Sequence, residues 1–160
     1  MATAPHLVRP VPEVAIRAME ERDLAAVAAV ERSAYQFPWS EGIFRDCIRV
    51  GYVCRVVELD DQILAHGILS VGAGEAHVLN LCVADNYRCL GLGRKLLLHL
   101  LERARASGMS EAFLEVRPTN IGAIRLYQSM GFQHIGIRRG YYQATVGRED
   151  ASVLRLRLAP

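Results

Sequence analysis

Apolar positions recur along this chain at two spacings, and the change from one to the other marks out its elements. The run Val14 to Met19 fits a first strand, and Leu24, Val27, Ala28 and Val30 return at the interval of an amphipathic helix over Arg22 to Ala34. Phe37-Pro38-Trp39-Ser40 then breaks the pattern. Ser40 is placed to cap a second helix over about 41–49, which would bring Ile43, Phe44, Cys47 and Ile48 to one side. Three strand-like runs follow, Tyr52 to Leu59, Ile63 to Val71 and Ala76 to Val83, with Asp60-Asp61 and the Gly72/Gly74 pair as turns. They predict an antiparallel meander.

Past a glycine-rich turn, Leu96, Leu97, Leu100, Leu101 and Ala104 share the buried side of a long helix that runs to about Ser107. A strand over Glu111 to Arg117, a helix over Asn120 to Met130 and two strands near 132–139 and 150–158 complete the pattern. The order strand, helix, strand, helix favours a parallel pairing of the two strands concerned. The expected fold is therefore a mixed α/β (α+β) domain with an N-terminal antiparallel meander, a central parallel pair and about four helices. Pro5, Pro10 and Pro12 lie outside any period, so 1–13 reads as a flexible arm and 14–160 as a single domain.

Composition narrows the partners. At 160 residues the chain can bury a core without a staple, and a net charge of +2 with no concentrated basic run gives no warrant for nucleic acid or a membrane surface. Cys47, Cys54, Cys82 and Cys89 form no Cys-x-x-Cys pair and the histidines are scattered, so neither a metal site nor a redox pair is indicated. Each cysteine reads as a small buried hydrophobe. With neither a secretory leader nor a run of ~20 apolar residues, a cytoplasmic monomer is expected.

Chemistry enters at Arg88-Cys89-Leu90-Gly91-Leu92-Gly93, between a strand and the long helix. Glycines let the backbone approach a ligand, and the first free N–H groups of a helix can hold a phosphate or pyrophosphate; Arg88 and Arg94 could add charge. A tight strand-to-helix turn would use the same glycines. The segment lacks the Lys-Ser/Thr of a nucleotide-triphosphate loop and the third glycine of a dinucleotide fingerprint.

Arg88, Gly91 and Gly93 match the Arg/Gln-x-x-Gly-x-Gly/Ala signature, and here the chain resembles the GNAT acetyltransferase superfamily. The likeness sharpens toward ribosomal-protein alanine N-acetyltransferases of the RimI type through Phe37-Pro38-Trp39-Ser40, Leu114-Glu115-Val116-Arg117, Asn120, Leu126-Tyr127, Gly131-Phe132, Arg138-Arg139, Tyr141-Tyr142 and Arg148-Glu149-Asp150-Ala151. The resemblance implies an acetyl-CoA co-substrate, without a metal, in a cleft where the two parallel strands splay apart. It implies that Leu81, Cys82 and Val83 hold the acetyl and pantetheine portion, that Cys89, Leu90, Gly91, Leu92, Gly93 and Arg94 wrap the pyrophosphate with Arg88, and that Asn120 adds a cofactor contact. By the same resemblance Glu115 is the general base, Tyr127 the general acid, and Trp39, Tyr141 and Tyr142 border the acceptor groove. The chain departs from the family at Cys89 and Leu90, where relatives place polar or basic residues, and at Gln143-Ala144, where a proline is common.

The implied reaction needs a neutral amine, a stabilised oxyanion and a proton for the leaving thiolate. A model α-amino group ionises near ~8 and a lysine near ~10.4, so the lysine costs about 3.3 kcal/mol more to deprotonate. The expected activity is transfer to a protein N-terminus, with the N-terminal alanine of a small-subunit ribosomal protein as the acceptor the resemblance implies. Transfer to lysines or small amines, and a silent acyl-CoA-binding module, are the alternatives. Read without the resemblance, Glu115 is equally an exposed strand residue or an ion-pair partner of Arg117, Tyr127 a packing residue, and the three aromatics loop packing. Glu149 and Asp150 suit either a basic peptide or a solvated turn. Partial burial of Glu115 is expected to raise its pKa toward neutrality.

Overall fold

The computed structural model describes residues 13–158, and the expected arm, Glu13 apart, lies outside the described residues. Strand β1 (Ala15–Ala18) leads through a 3-10 turn into α1 (Leu24–Ala34) and α2 (Glu41–Arg49). The meander follows as β2 (Val53–Leu59), β3 (Gln62–Gly72) and β4 (Glu75–Val83). Then come α3 (Leu92–Ala106), β5 (Glu111–Val116), α4 (Ile121–Ser129), β6 (Gln133–Gln143) and β7 (Arg148–Arg157). The seven strands of the described residues form one sheet in the order β1-β2-β3-β4-β5-β7-β6.

Ser40 caps α2 as the sequence predicts, its side chain accepting from the Ile43 N–H at 3.3 Å. On that helix Phe44 and Cys47 are buried, whereas Ile43 is exposed rather than turned inward with them. Helices α1 and α2 cover one face of the sheet through Leu24, Val27 and Phe44, packed on Val56 and Ile68. Helices α3 and α4 cover the other. Leu92, Leu96, Leu97, Leu100 and Leu101 of α3 are all buried there, and each contributes roughly 1.5–3 kcal/mol by leaving water. Helix α3 lies so close to β3 that a Cβ at Gly67 would come within 2.9 Å of the Leu100 side chain.

The central pair is parallel, as expected, but short: Glu75↔Glu111 through Val78↔Leu114. A β-bulge ends it. Toward β3, Ile68 faces Asn80 and Leu69 faces Val78, so Leu79 is an extra residue on β4. Ala76 and Val78 pack toward α3, yet beyond the bulge it is Leu81 and Val83 that do so, while Leu79 joins the α1–α2 side. The extra residue bends β4 away from β5, and the two strands part from that point on. The last hairpin departs from expectation at Gly140: β6 runs to Gln143 through a register shift between Arg138 and Tyr142, with Gly140 at φ +58°. Asp150 accepts from the Gly140 N–H at 2.8 Å, so backbone left unpaired by the irregularity is satisfied by a side chain. Tyr141 and Tyr142 are therefore strand residues.

Candidate active site

Where β4 and β5 part, a cavity of about 490 Å³ opens through the sheet. Its walls include Trp39, Leu81, Asn120, Tyr127 and Tyr142, and Glu115 stands at its edge. Along β5, Leu114 and Val116 point to the α3–α4 side, so the intervening Glu115 points to the α1–α2 side. Tyr127, from α4, enters from the opposite face. The gap lets a carboxylate and a phenol from opposite faces border one cavity.

The backbone of β4 borders it too. The Ala84 N–H donates to the Leu64 carbonyl at 2.8 Å, and antiparallel alternation then directs the main-chain groups of Leu81 and Val83 away from β3, toward the gap. There the Tyr35 hydroxyl donates to the Leu81 carbonyl at 2.6 Å. Cys82 points elsewhere, buried beneath α1.

The glycine turn lies at the same end of β4. Gly91, at φ +81°, is the N-cap of α3, and its conformation admits a side chain only with strain. A Cβ on Gly93 would meet Leu126 of α4 and Val83 of β4 at 3.5 and 3.6 Å, so the start of α3 sits between the two elements that bound the gap. The N–H groups of Leu92, Gly93 and Arg94 open the helix, where no preceding turn supplies acceptors. Arg88 is exposed beside Asp85 at 3.6 Å, and Arg94 donates to the Ser129 hydroxyl. Cys89 is exposed at φ +63°, so the expectation that every cysteine is buried fails at this one. Leu90 is half-buried against the α3–α4 core.

Burial pushes the Glu115 carboxyl up, as expected, but the neighbours outweigh it. His77 of β4 bonds one carboxylate oxygen through Nε2, Arg138 of β6 reaches the other at 3.3 Å, and the sum holds Glu115 below the usual carboxylate range. The expected rise toward neutrality is thus overturned by two hydrogen-bonding partners that the sequence places far away, although the side chain is only 10% exposed. Arg117 pairs with Glu149 at 2.8 Å, not with Glu115, and its guanidinium stacks 4.3 Å from the Tyr142 ring centroid. Tyr127 is buried, which pushes its phenol up to about 12, so it keeps its proton at neutral pH.

Asn120 also serves the fold, because its side chain caps α4 by accepting from the Ala123 N–H at 3.2 Å while the residue lines the cavity. Tyr141 lies off the cavity wall, stacked on Arg138 at 4.6 Å and against Tyr142 at 4.8 Å. Glu149 and Asp150, read as a solvated turn or a basic-peptide contact, are both engaged within the fold.

Sequence reasoning missed a second carboxylate. Glu31 of α1 is 1% exposed and lines the floor of the cavity, accepting from Asn80 at 3.1 and 3.2 Å and from the Trp39 N–H at 3.0 Å, with His66 Nε2 at 3.2 Å. It ties α1 to β3, β4 and the loop that carries Trp39. Among the described residues, no helix is long and apolar enough to cross a membrane.

The profile of the Acetyltransferase (GNAT) family matches residues 15–132. The [ribosomal protein bS18]-alanine N-acetyltransferase of Escherichia coli (strain K12) is 39% identical over 141 residues, 88% of this chain and 95% of that protein. The crystal structure of the Escherichia coli ribosomal-protein-S18-alanine N-acetyltransferase superposes with a TM-score of 0.85 at 37% identity, covering 92% of this chain and 96% of that one. Arabidopsis thaliana Naa50, in complex with the bisubstrate analogue CoA-Ac-MVNAL, shares the fold at a TM-score of 0.77 and 22% identity, covering 89% and 97%.

Proposed function

The chain belongs to the GNAT family of acetyltransferases, and we propose that within it this protein transfers the acetyl group of acetyl-CoA to the N-terminal alanine of a small-subunit ribosomal protein. One observation carries the reading: an ionised carboxylate and a protonated phenol border the same cavity from opposite faces of the sheet. Similarity to the bS18-alanine enzyme along 95% of that protein's length supports the choice of acceptor. We place the reaction in the cytoplasm, on a monomer that touches no nucleic acid.

In this reading acetyl-CoA supplies an activated acyl thioester. The α3 N-terminus from Cys89 to Arg94, with Arg88, holds its pyrophosphate; the Leu81 N–H and the main-chain groups of Val83, continuing past Cys82, hold the pantetheine arm as an added strand would be held. Asn120 adds a contact from the edge of α4. Trp39, Tyr141 and Tyr142 guide the acceptor peptide, and Glu115 draws a proton from its α-amine. A main-chain N–H facing the gap stabilises the carbonyl oxygen as charge gathers there. Tyr127 delivers a proton to the departing sulfur. The balance favours an α-amine over a lysine because the carboxylate is a weak base, and the α-amine is the easier of the two to deprotonate.

The test is mass gain on two basic peptides incubated with the protein and acetyl-CoA, one with a free N-terminal alanine and one blocked but containing lysine. Modification of the free alanine alone is expected. Modification of only the blocked peptide overturns the reading in favour of lysine transfer.

A further inference from the structure

We propose that His77 is the outlet by which a proton collected on Glu115 leaves the site, passing into a second groove that the substrates do not use. The proposal rests on Glu115 being the base. Glu115 borders two cavities, the one between the strands and another of about 510 Å³ whose lining includes Tyr52, Ser70, Glu75, His77 and Phe113. His77 spans the step between them. Its Nε2 is bonded to Glu115, and its side chain is 31% exposed where that of Glu115 is 10% exposed. An imidazole can take up a proton on one ring nitrogen and release one from the other, which a guanidinium cannot do.

The stoichiometry calls for such an outlet. An α-ammonium loses two protons as the N–C bond forms and the C–S bond breaks. One ends on sulfur by way of Tyr127, and the other must reach solvent. Glu115 is too weak a base to retain that proton, because His77 and Arg138 favour its ionised form. The remaining groups about Glu115 do not offer a second route. Arg138 of β6 offers a guanidinium, which has no acceptor for a proton, burial raises the Tyr141 and Tyr142 phenols on the same strand, and β5 and β7 present Phe113 and Val153. Glu75, on the same strand as His77, lines the groove beyond it.

The experiment measures kcat and the pH profile of kcat/KM for wild type, His77→Ala, His77→Gln and Glu115→Gln, with acetyl-CoA binding as the check on folding. Both His77 variants are expected to lose about 10-fold or more in kcat at unchanged acetyl-CoA affinity, since a positioned proton carrier contributes on that order. The acidic limb of the profile should move to higher pH in His77→Ala, as burial of Glu115 then goes unopposed by the imidazole. Added imidazole should restore part of the His77→Ala rate through the open groove. A wild-type rate in His77→Gln, or no recovery with imidazole, overturns the proposal while leaving Glu115 as base. A wild-type rate in Glu115→Gln overturns the reading of Glu115 itself.

Discussion

Glu31 and Glu115 both edge the same cavity, and their surroundings differ in the one way that separates a strut from a reagent. Around Glu31 every partner is fixed: buried Asn80, buried His66 and a backbone N–H, with the carboxylate 1% exposed. The hydrogen-bonding capacity of a carboxylate so enclosed is taken up by the fold. Around Glu115 the partners are a partly exposed histidine and an exposed arginine, and open space lies to either side. Burial alone does not mark a working carboxylate; connection to solvent and substrate does.

The comparison breaks most sharply at Glu115. Glu115→Gln should lower kcat/KM by about 10²- to 10⁴-fold, with a melting temperature close to that of the wild type, read by peptide acetylation and calorimetry. Glu31→Ala should do the reverse in kind. It leaves the Asn80 amide and the Trp39 N–H without their acceptor, so denaturant titration should show a loss of about 2–4 kcal/mol. Tyr127→Phe should slow the chemical step by about 10²-fold while acetyl-CoA affinity is kept, measured by single-turnover kinetics. Gly67→Ala, remote from both carboxylates, should cost about 1 kcal/mol by pressing on Leu100 and should leave kcat alone.

A pH series sharpens the same contrast with a third carboxylate. Asp23 is held below its usual range by hydrogen bonds from Arg17 at 2.7 and 2.8 Å, against the opposing push of burial. Its pKa is lower folded than unfolded, so its stabilisation is complete above the ordinary carboxylate range and is lost as pH falls through the folded value. Arg17→Leu should therefore lower the melting temperature at neutral pH, and the gap from wild type should close in acid. Glu115 follows the same sign, so the ionised base should persist through mildly acidic solution, and turnover should be lost as pH falls through its folded value, below the ordinary carboxylate range.

Local chemistry was legible in the sequence, and cross-strand chemistry was not. Ser40 ahead of an amphipathic run, the leucines of α3 and the parallel β4–β5 pair all followed from spacing. His77 lies 38 residues from the carboxylate it binds, and Asn80 lies 49 from Glu31. No local pattern reports such a pairing, because it depends on which strands become neighbours. The bulge did leave a trace: Ala76 and Val78 alternate with polar residues, and from Leu79 the alternation continues one position out of step. The strand expected near 132–139 instead continues through Gly140 to Gln143, across a register shift that no local pattern announced.

The extra residue at Leu79 works as a frameshift does in a message: everything downstream is read in the other phase. Asn80 and Cys82 thereby face α1, while Leu81 and Val83 keep the helical core closed. A designer could thus diversify the two classes of position separately. Deleting Leu79 would be the most economical way to erase the cleft, since it would let β4 run straight beside β5 with its hydrophobic phase restored.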